Sequence, residues 1–189
     1  MFQSRLVIAL GSLALAGVAA AAIAPLTQEG MPSPKKDQHD VVLKGVGEWE
    51  GTLTMPGPDG NEMVSKCTES VTAIGELWTV SRFECSFEMM GMTMDFTGCS
   101  TFGYSGAKKK FVGTWMDSMN PEMIMMEGTQ DKESGAINML YDGPHHETGE
   151  MVPHRNSLTF SKDSYVLDFY MTVDGKESKS MSIAMKRTK

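Results

Sequence analysis

Residues 103–119 read GYSGAKKKFVGTWMDSM, and this stretch decides the fold class. Apolar and polar residues alternate on both sides of a turn rich in Gly and Lys, as expected of two β-strands joined by a hairpin. The same pattern recurs along most of the chain, with Gly, Asp, Asn and Lys at the turns. The sequence therefore predicts an antiparallel all-β protein.

Alternating segments follow one another at even spacing from residue 48 to residue 187. The pair Asp174-Gly175 lies between two of them and is the strongest hairpin signal in the chain. No connection is long enough for a crossover helix, which excludes parallel α/β folds. Because a closed sheet has no exposed edges, we predict an up-and-down barrel of about ten strands. The predicted strands lie near 48–54, 62–73, 77–89, 93–104, 110–118, 122–130, 136–142, 150–161, 164–173 and 176–187.

A short helix is predicted before the first strand. Asp37 stands where an N-cap would, and Gly45 and Gly47 end the apolar pattern that follows it. Residues 25–36 contain three prolines and few apolar side chains, which is typical of a flexible tether. Because the composition does not change after residue 37, we predict one domain over residues 37–189.

Residues 1–24 have the composition of a secretory signal peptide. Arg5 precedes an uncharged apolar run that ends in small residues suited to cleavage. An uncleaved anchor is the alternative, since a run of about 19 residues could just span a bilayer. Its high content of Ala and Gly favours the signal peptide, so we predict a periplasmic or secreted protein with no membrane association after cleavage.

The chain is acidic, with a formal net charge of −7. Removal of the signal peptide takes away one basic residue, Arg5, and no acidic residue. Nucleic acids and anionic lipids bind basic surfaces, because their phosphates are negatively charged. We therefore expect no nucleic-acid partner.

Three cysteines remain after the signal peptide, and an exported protein can oxidise them. Cys67 and Cys85 both face inward by alternation, on strands joined by one turn, whereas Cys99 has a different parity. We predict a Cys67–Cys85 disulfide, closing a loop of about 18 residues and contributing roughly 3 kcal/mol in the chain-entropy model. Three reduced, buried thiols are the alternative.

Alternation also predicts a largely apolar barrel interior. A barrel with this number of strands has room for a small ligand. The predicted inward residues are Phe83, Cys85, Phe87, Phe111, Gly113, Trp115, Asp117, Leu158, Phe160, Leu167, Phe169, Met171, Met181, Ile183 and Met185.

Asp117 is the polar exception, and a buried carboxylate is costly unless it has a hydrogen-bond partner. Arg155 and Tyr170 are the partners we consider. Arg155 has outward parity in a simple count, but a bulge at Pro153 would reverse it. Two interpretations stay open: an internal polar network that maintains strand register, or the polar end of a ligand pocket.

Five segments together resemble a bacterial family catalogued as domain of unknown function 1579. They are Gly47–Thr52, Gly103-Tyr104, Lys110–Met119, Glu127–Thr129 and Asp174–Glu177. The resemblance extends from about residue 39 to residue 187. It implies a lipocalin-like or calycin-like β-barrel with no established activity. Ser105 departs from the family pattern, in which an Asp commonly follows Gly-Tyr.

The fold and the apolar interior predict a non-enzymatic binding protein that holds a small apolar or amphipathic ligand inside the barrel. The sequence contains no nucleophile elbow and no phosphate-binding glycine loop. We predict no catalytic residue, no metal site and no cofactor. The predicted ligand contacts are Trp49, Trp78, Tyr104, Trp115, Asp117 and Arg155.

Two alternatives use other chemistry. The Met-rich segment 89–94 offers thioether ligands for Cu(I), although Met also fills irregular cores and adaptable surfaces. An enzyme could use the Asp117 cluster as an acid or base. The histidines fit no zinc template, and a haem-binding barrel would need one inward histidine, a position that His154 could occupy.

Overall fold

The structure is a computed structural model that describes residues 34–57, 60–89, 91–145 and 148–189. The predicted signal peptide and residues 25–33 of the predicted tether lie outside the described residues. Residues 34–36 have no regular secondary structure. Within the described residues, no helix combines the length and the apolar composition needed to cross a membrane.

Ten antiparallel strands form a closed barrel, in which each strand pairs with the next and β10 pairs with β1. The predicted up-and-down barrel with one preceding helix is confirmed. The elements are α1 (Asp37–Leu43), β1 (Gly47–Pro56), β2 (Glu62–Ile74), β3 (Trp78–Met89), β4 (Met92–Ser105), β5 (Lys110–Asp117), β6 (Ile124–Gln130), β7 (Ile137–Pro144), β8 (Met151–Phe160), β9 (Ser164–Val173) and β10 (Lys176–Arg187).

Local sequence explains both the strands and their turns. In β3, Phe83, Cys85 and Phe87 are buried while the residues between them are exposed, as period-two alternation predicts. Asp174 and Gly175 have φ values of 51° and 72°, so both adopt the left-handed conformation of a type I′ hairpin turn. The strongest hairpin signal in the sequence thus forms the tight β9–β10 turn.

Helix α1 covers one end of the barrel, which we call the helix end. Val42 is fully buried and packs with Phe111 and Ile137. The ring of His39 joins the helix to β4, because its Nε2 atom lies 3.1 Å from the carbonyl oxygen of Tyr104. The Arg187 guanidinium donates to the backbone carbonyls of Lys44 and Val46 and so anchors the connection to β1.

The predicted N-cap is wrong by one residue. Lys36 is the N-cap, and Asp37 is the first helical residue. The backbone N–H of Lys36 donates to Nδ1 of His39 over 2.8 Å. This is the bond that an N3 side chain makes back to the N-cap in a capping box. The opposite end of the barrel, which carries the β1–β2, β3–β4, β5–β6, β7–β8 and β9–β10 connections, is called the loop end.

Candidate ligand cavity

A cavity of about 340 Å³ lies inside the barrel. Small-molecule sites in proteins range over roughly 300–1,000 Å³, so its size suits a small ligand. Aromatic and aliphatic side chains dominate its lining, as alternation predicts. Its apolar side chains are Val42, Leu53, Val71, Phe83, Phe87, Phe96, Phe102, Trp115, Ile124, Met126, Met139, Leu158, Phe160, Leu167, Phe169, Met181 and Ile183.

Trp115 forms an aromatic wall of the cavity. Its ring stacks on Phe96 at a centroid distance of 6.2 Å and meets Phe83 edge-on at 6.4 Å. The indole lies across Gly98 of the neighbouring strand, where a Cβ atom would come within 2.2 Å of the ring. Glycine at this position therefore allows the indole to lie flat against the sheet.

Asp117 ends β5 at the loop end and also lines the cavity. Its Oδ2 atom accepts a hydrogen bond from Nε1 of Trp115 over 2.8 Å. Its Oδ1 atom accepts from the backbone N–H groups of Met119 and Asn120, each over 2.9 Å. The expectation that Arg155 or Tyr170 pairs with this carboxylate is wrong, because a tryptophan and a turn supply its donors.

We expect Asp117→Asn to lower the free energy of unfolding by roughly 1.5 kcal/mol, because charge-assisted hydrogen bonds would be lost. An amide has one acceptor oxygen, and its NH₂ group would face N–H donors. Urea unfolding measures this loss, with the exposed Asp163→Asn as the control. Unchanged stability combined with altered affinity for an apolar dye would instead support the ligand-pocket interpretation.

Arg155 lies on the outer surface of the barrel, so its prediction as a cavity residue is wrong. Its guanidinium makes two bonds to Glu177, of 2.8 and 2.6 Å, and one of 2.8 Å to Asn138. It also stacks on Tyr170, 4.0 Å from the ring centroid. Pro153 pairs in continuous register with β7, so no bulge reverses the parity of the strand.

Three predicted aromatic contacts do not line the cavity. Trp49 is 1% exposed, belongs to the core at the helix end and donates to the Gly45 carbonyl over 2.7 Å. Tyr104 also packs at the helix end, against His39 and Phe111. Trp78 has outward parity and is 37% exposed. Of the six predicted contacts, only Trp115 and Asp117 line the cavity.

A carboxyl group that we did not predict, that of Glu69, faces the cavity. It accepts a hydrogen bond from the hydroxyl of Tyr165, and a second bond comes from Ser81. The hydroxyls of Ser81 and Ser100 lie 2.8 Å apart, which extends this polar group across to β4. The signal was present in the sequence, since Glu69 alternates with the inward residues Cys67 and Val71.

Two polar side chains on β7 and β8, those of Tyr141 and Asn156, line the cavity, and His154 lies beside them outside the lining. The hydroxyl of Tyr141 donates to Asn156 over 3.3 Å, and burial raises the pKa of Tyr141 to about 12. His154 stacks on Tyr141 at 5.0 Å. Its Nε2 atom is buried and has no hydrogen-bond partner among the described residues, while burial holds the pKa of this histidine below its ordinary value.

Cys67 and Cys85 are direct cross-strand partners, and their Sγ atoms lie 2.7 Å apart. Both are thiols in this structure, and burial raises the pKa of each. Cys99 lies in an outer groove together with Arg82 and Met116. The pairing of Cys67 with Cys85 in a disulfide therefore stays a prediction, with geometry that allows it.

Several methionines are exposed on the outer surface and in the β5–β6 connection. Met92 and Met125 are 63% and 70% exposed, and Met116, Met119 and Met123 are also exposed. Among the residues that the structure describes, no three His, Cys, Asp or Glu side chains are grouped to hold a metal. Binding of Cu(I) through thioethers uses different ligands and stays a prediction.

Solved structures with this fold include a protein from an alga and a protein from a bacterium. The S-type phycobiliprotein lyase CPES from Guillardia theta is 11% identical with a TM-score of 0.51, and the match covers 82% of this chain and 94% of that one. Rv2717c from M. tuberculosis is 10% identical with a TM-score of 0.59, and the match covers 82% and 99%. At such low identity the likeness shows the fold alone.

No curated protein matches the sequence. A family described as "Protein of unknown function (DUF1579)" matches residues 34–187, which is most of the chain. This match agrees with the segments that suggested the resemblance, and the barrel agrees with the fold that it implied. The chain belongs to the DUF1579 family.

Proposed function

We propose that this protein binds a small, predominantly apolar molecule inside the barrel and performs no chemistry on it. The observation that carries the proposal is the cavity of about 340 Å³, lined mainly by aromatic and aliphatic side chains. Apolar surface around an internal space favours transfer of an apolar ligand from water. The few polar groups that line it would orient the ligand.

The comparison with known structures supports this proposal at the level of the fold. One protein with the same barrel is named a phycobiliprotein lyase, and a binding role is compatible with this fold. The identity of 11% carries no information about which ligand this chain binds. The ligand class must therefore be inferred from the side chains of this cavity.

We also propose that the protein acts after export, in the periplasm or outside the cell. The support comes from the composition of residues 1–24 and from the paired positions of Cys67 and Cys85. An oxidising compartment would allow these two cysteines to form a disulfide. Their redox state in the purified protein therefore tests the location as well as the pairing.

Met181→Trp tests the cavity, because Met181 lines it and a larger side chain would occupy the space of the ligand. We expect affinity for the neutral apolar dye N-phenylnaphthylamine to fall at least about tenfold, equivalent to about 1.4 kcal/mol. Fluorescence titration measures the affinity. Met125→Trp is the matched control, since Met125 is 70% exposed on the outer face of β6.

The two variants separate binding in the cavity from binding on the surface. Loss of affinity in Met181→Trp and wild-type affinity in Met125→Trp would agree with the proposal. A wild-type protein that binds no apolar dye would contradict it, as would equal affinity in both variants. Circular dichroism of each variant confirms that the barrel is intact.

A further inference from the structure

The charged groups of the cavity all have the same sign. Two carboxyl groups face it, those of Glu69 and Asp117, and none of the described residues that line it is Lys, Arg or His. The nearby Arg187 is engaged elsewhere: its guanidinium lies 4.1 Å from the centroid of the Trp49 ring and donates to backbone carbonyls. The cavity therefore disfavours an anionic head group.

The two carboxyl groups differ in what they can offer a ligand. Asp117 accepts three N–H donors at the end of a strand. Glu69 accepts only hydroxyl donors, from Tyr165 and Ser81, and no cation is paired with it among the described residues. A carboxylate has about four acceptor sites, so Glu69 retains capacity for another donor.

The position of Glu69 suits a head group bound deep in the barrel. Glu69 pairs with Trp49, which is near the start of β1 at the helix end, whereas Asp117 lies at the loop end. In strand register, Phe83 and Gly98 lie between Glu69 and Asp117. The ring of Trp115 covers Gly98, so an aromatic stretch separates the two carboxyl groups on this wall. A ligand with one polar end and an apolar body would match this gradient.

Desolvation explains why a cation would be favoured at this site. Burial raises the pKa of Glu69, and the hydrogen bonds from Tyr165 and Ser81 only partly oppose this effect. A positively charged group in contact with the carboxyl would stabilise its ionised form. A cationic ligand would therefore form an ion pair with Glu69, which has no cationic partner among the described residues.

We propose that the ligand is an amphipathic amine, whose ammonium group binds Glu69 and whose apolar body extends along the aromatic wall towards the loop end. This inference rests on the proposed binding function and specifies its ligand class. Neutral alcohols would bind more weakly, through one hydrogen bond. Fatty acids would bind weakest, because their carboxylate would meet a carboxyl group at either end of the cavity.

Three probes with the same alkyl chain test the inference on the purified wild-type protein: decylammonium, decanol and decanoate. Isothermal titration calorimetry at neutral pH measures each affinity. We expect decylammonium to bind at least about tenfold more tightly than decanoate, the scale of one charge-assisted hydrogen bond. Decanol should lie between them. This comparison needs no variant and so does not depend on the folding of a mutant.

Glu69→Gln then assigns the preference to one side chain. We expect the ratio of the decylammonium and decanoate affinities to fall by about tenfold in this variant. Glu62→Gln is the matched control, because it makes the same change at an exposed position of the same strand. It should keep the wild-type ratio.

The outcomes distinguish the inference from the proposed function. Binding of all three probes with equal affinity, or a preference for decanoate, would overturn the amine inference and leave the apolar binding function intact. A Glu69→Gln variant that keeps the wild-type ratio would also overturn it. Failure of all three probes and of the apolar dye to bind would contradict the proposed function itself.

Discussion

Replacing Trp49 with alanine is expected to lower the free energy of unfolding by about 3–5 kcal/mol, the usual cost of removing a large buried aromatic side chain. Trp49 is 1% exposed and contacts Tyr165 edge-on at 4.9 Å. The substitution would also leave the Gly45 carbonyl without its indole donor and the Arg187 guanidinium without its aromatic surface. Many domains have only about 5–15 kcal/mol of stability in total.

Urea unfolding followed by circular dichroism measures this loss. Trp78→Ala is the matched control, because it removes the same side chain from the outer face, where Trp78 is 37% exposed. We expect the control to lose less than half as much stability. A Trp49→Ala variant that is as stable as the control, but no longer binds apolar dye, would restore Trp49 as a ligand contact.

We expect a Cys67–Cys85 disulfide in the protein purified from an oxidising compartment, which is the location that we propose. The two residues are cross-strand partners with Sγ atoms 2.7 Å apart. Cys67→Ser should then lower the free energy of unfolding by roughly 3 kcal/mol under oxidising conditions, as estimated for a loop of this length. Under reducing conditions the difference between variant and wild type should be much smaller.

Thiol titration of the unfolded protein measures the redox state, and we expect one reactive thiol, that of Cys99. Cys99→Ser is the control variant, with little effect on stability, because it removes a thiol that lies in an outer groove. Three reactive thiols in the exported protein would contradict the disulfide. The same chain produced in a reducing cytosol should show three thiols, which connects the result to export.

The fold could be predicted from the sequence because its signals are local. Period-two alternation depends only on neighbouring residues in the chain, and so do turn signals such as Asp174-Gly175. The order and number of the strands could therefore be predicted from the sequence. The inward residues followed from the same alternation. The helix was also predicted, although its cap was not, because His39 acts as acceptor from inside the helix.

The residues of the site were harder to predict from the sequence than the fold. Parity assigns a side chain to the inside or the outside of the barrel, but it does not give its depth along the barrel axis. Tyr104 and Asp117 have inward parity on neighbouring strands, yet Tyr104 packs at the helix end and Asp117 lies at the loop end. For Arg155 the error concerned parity rather than depth. The simple count placed it outside, and the expectation of a bulge at Pro153 moved it inside without an observation that required this.

The inward position of Glu69 could be predicted from the sequence, but its hydrogen-bond partners could not. Its alternation with Cys67 and Val71 was sufficient to place it inside the barrel, but a lone acid on a strand gives no indication of its partners. Those partners come from residues distant in the chain, since Tyr165 is 96 positions away. Only the closed barrel brings the two side chains together.

The sequence by itself determined a ten-stranded antiparallel barrel with an apolar interior, because side-chain alternation and turn chemistry act between neighbouring residues. The tertiary structure decided which inward side chains line a cavity and which fill the core beneath helix α1. It also decided that the charged groups facing the cavity are carboxyl groups. These properties depend on the depth of each residue along the barrel axis, which is set by strand register, strand tilt and closure between β1 and β10.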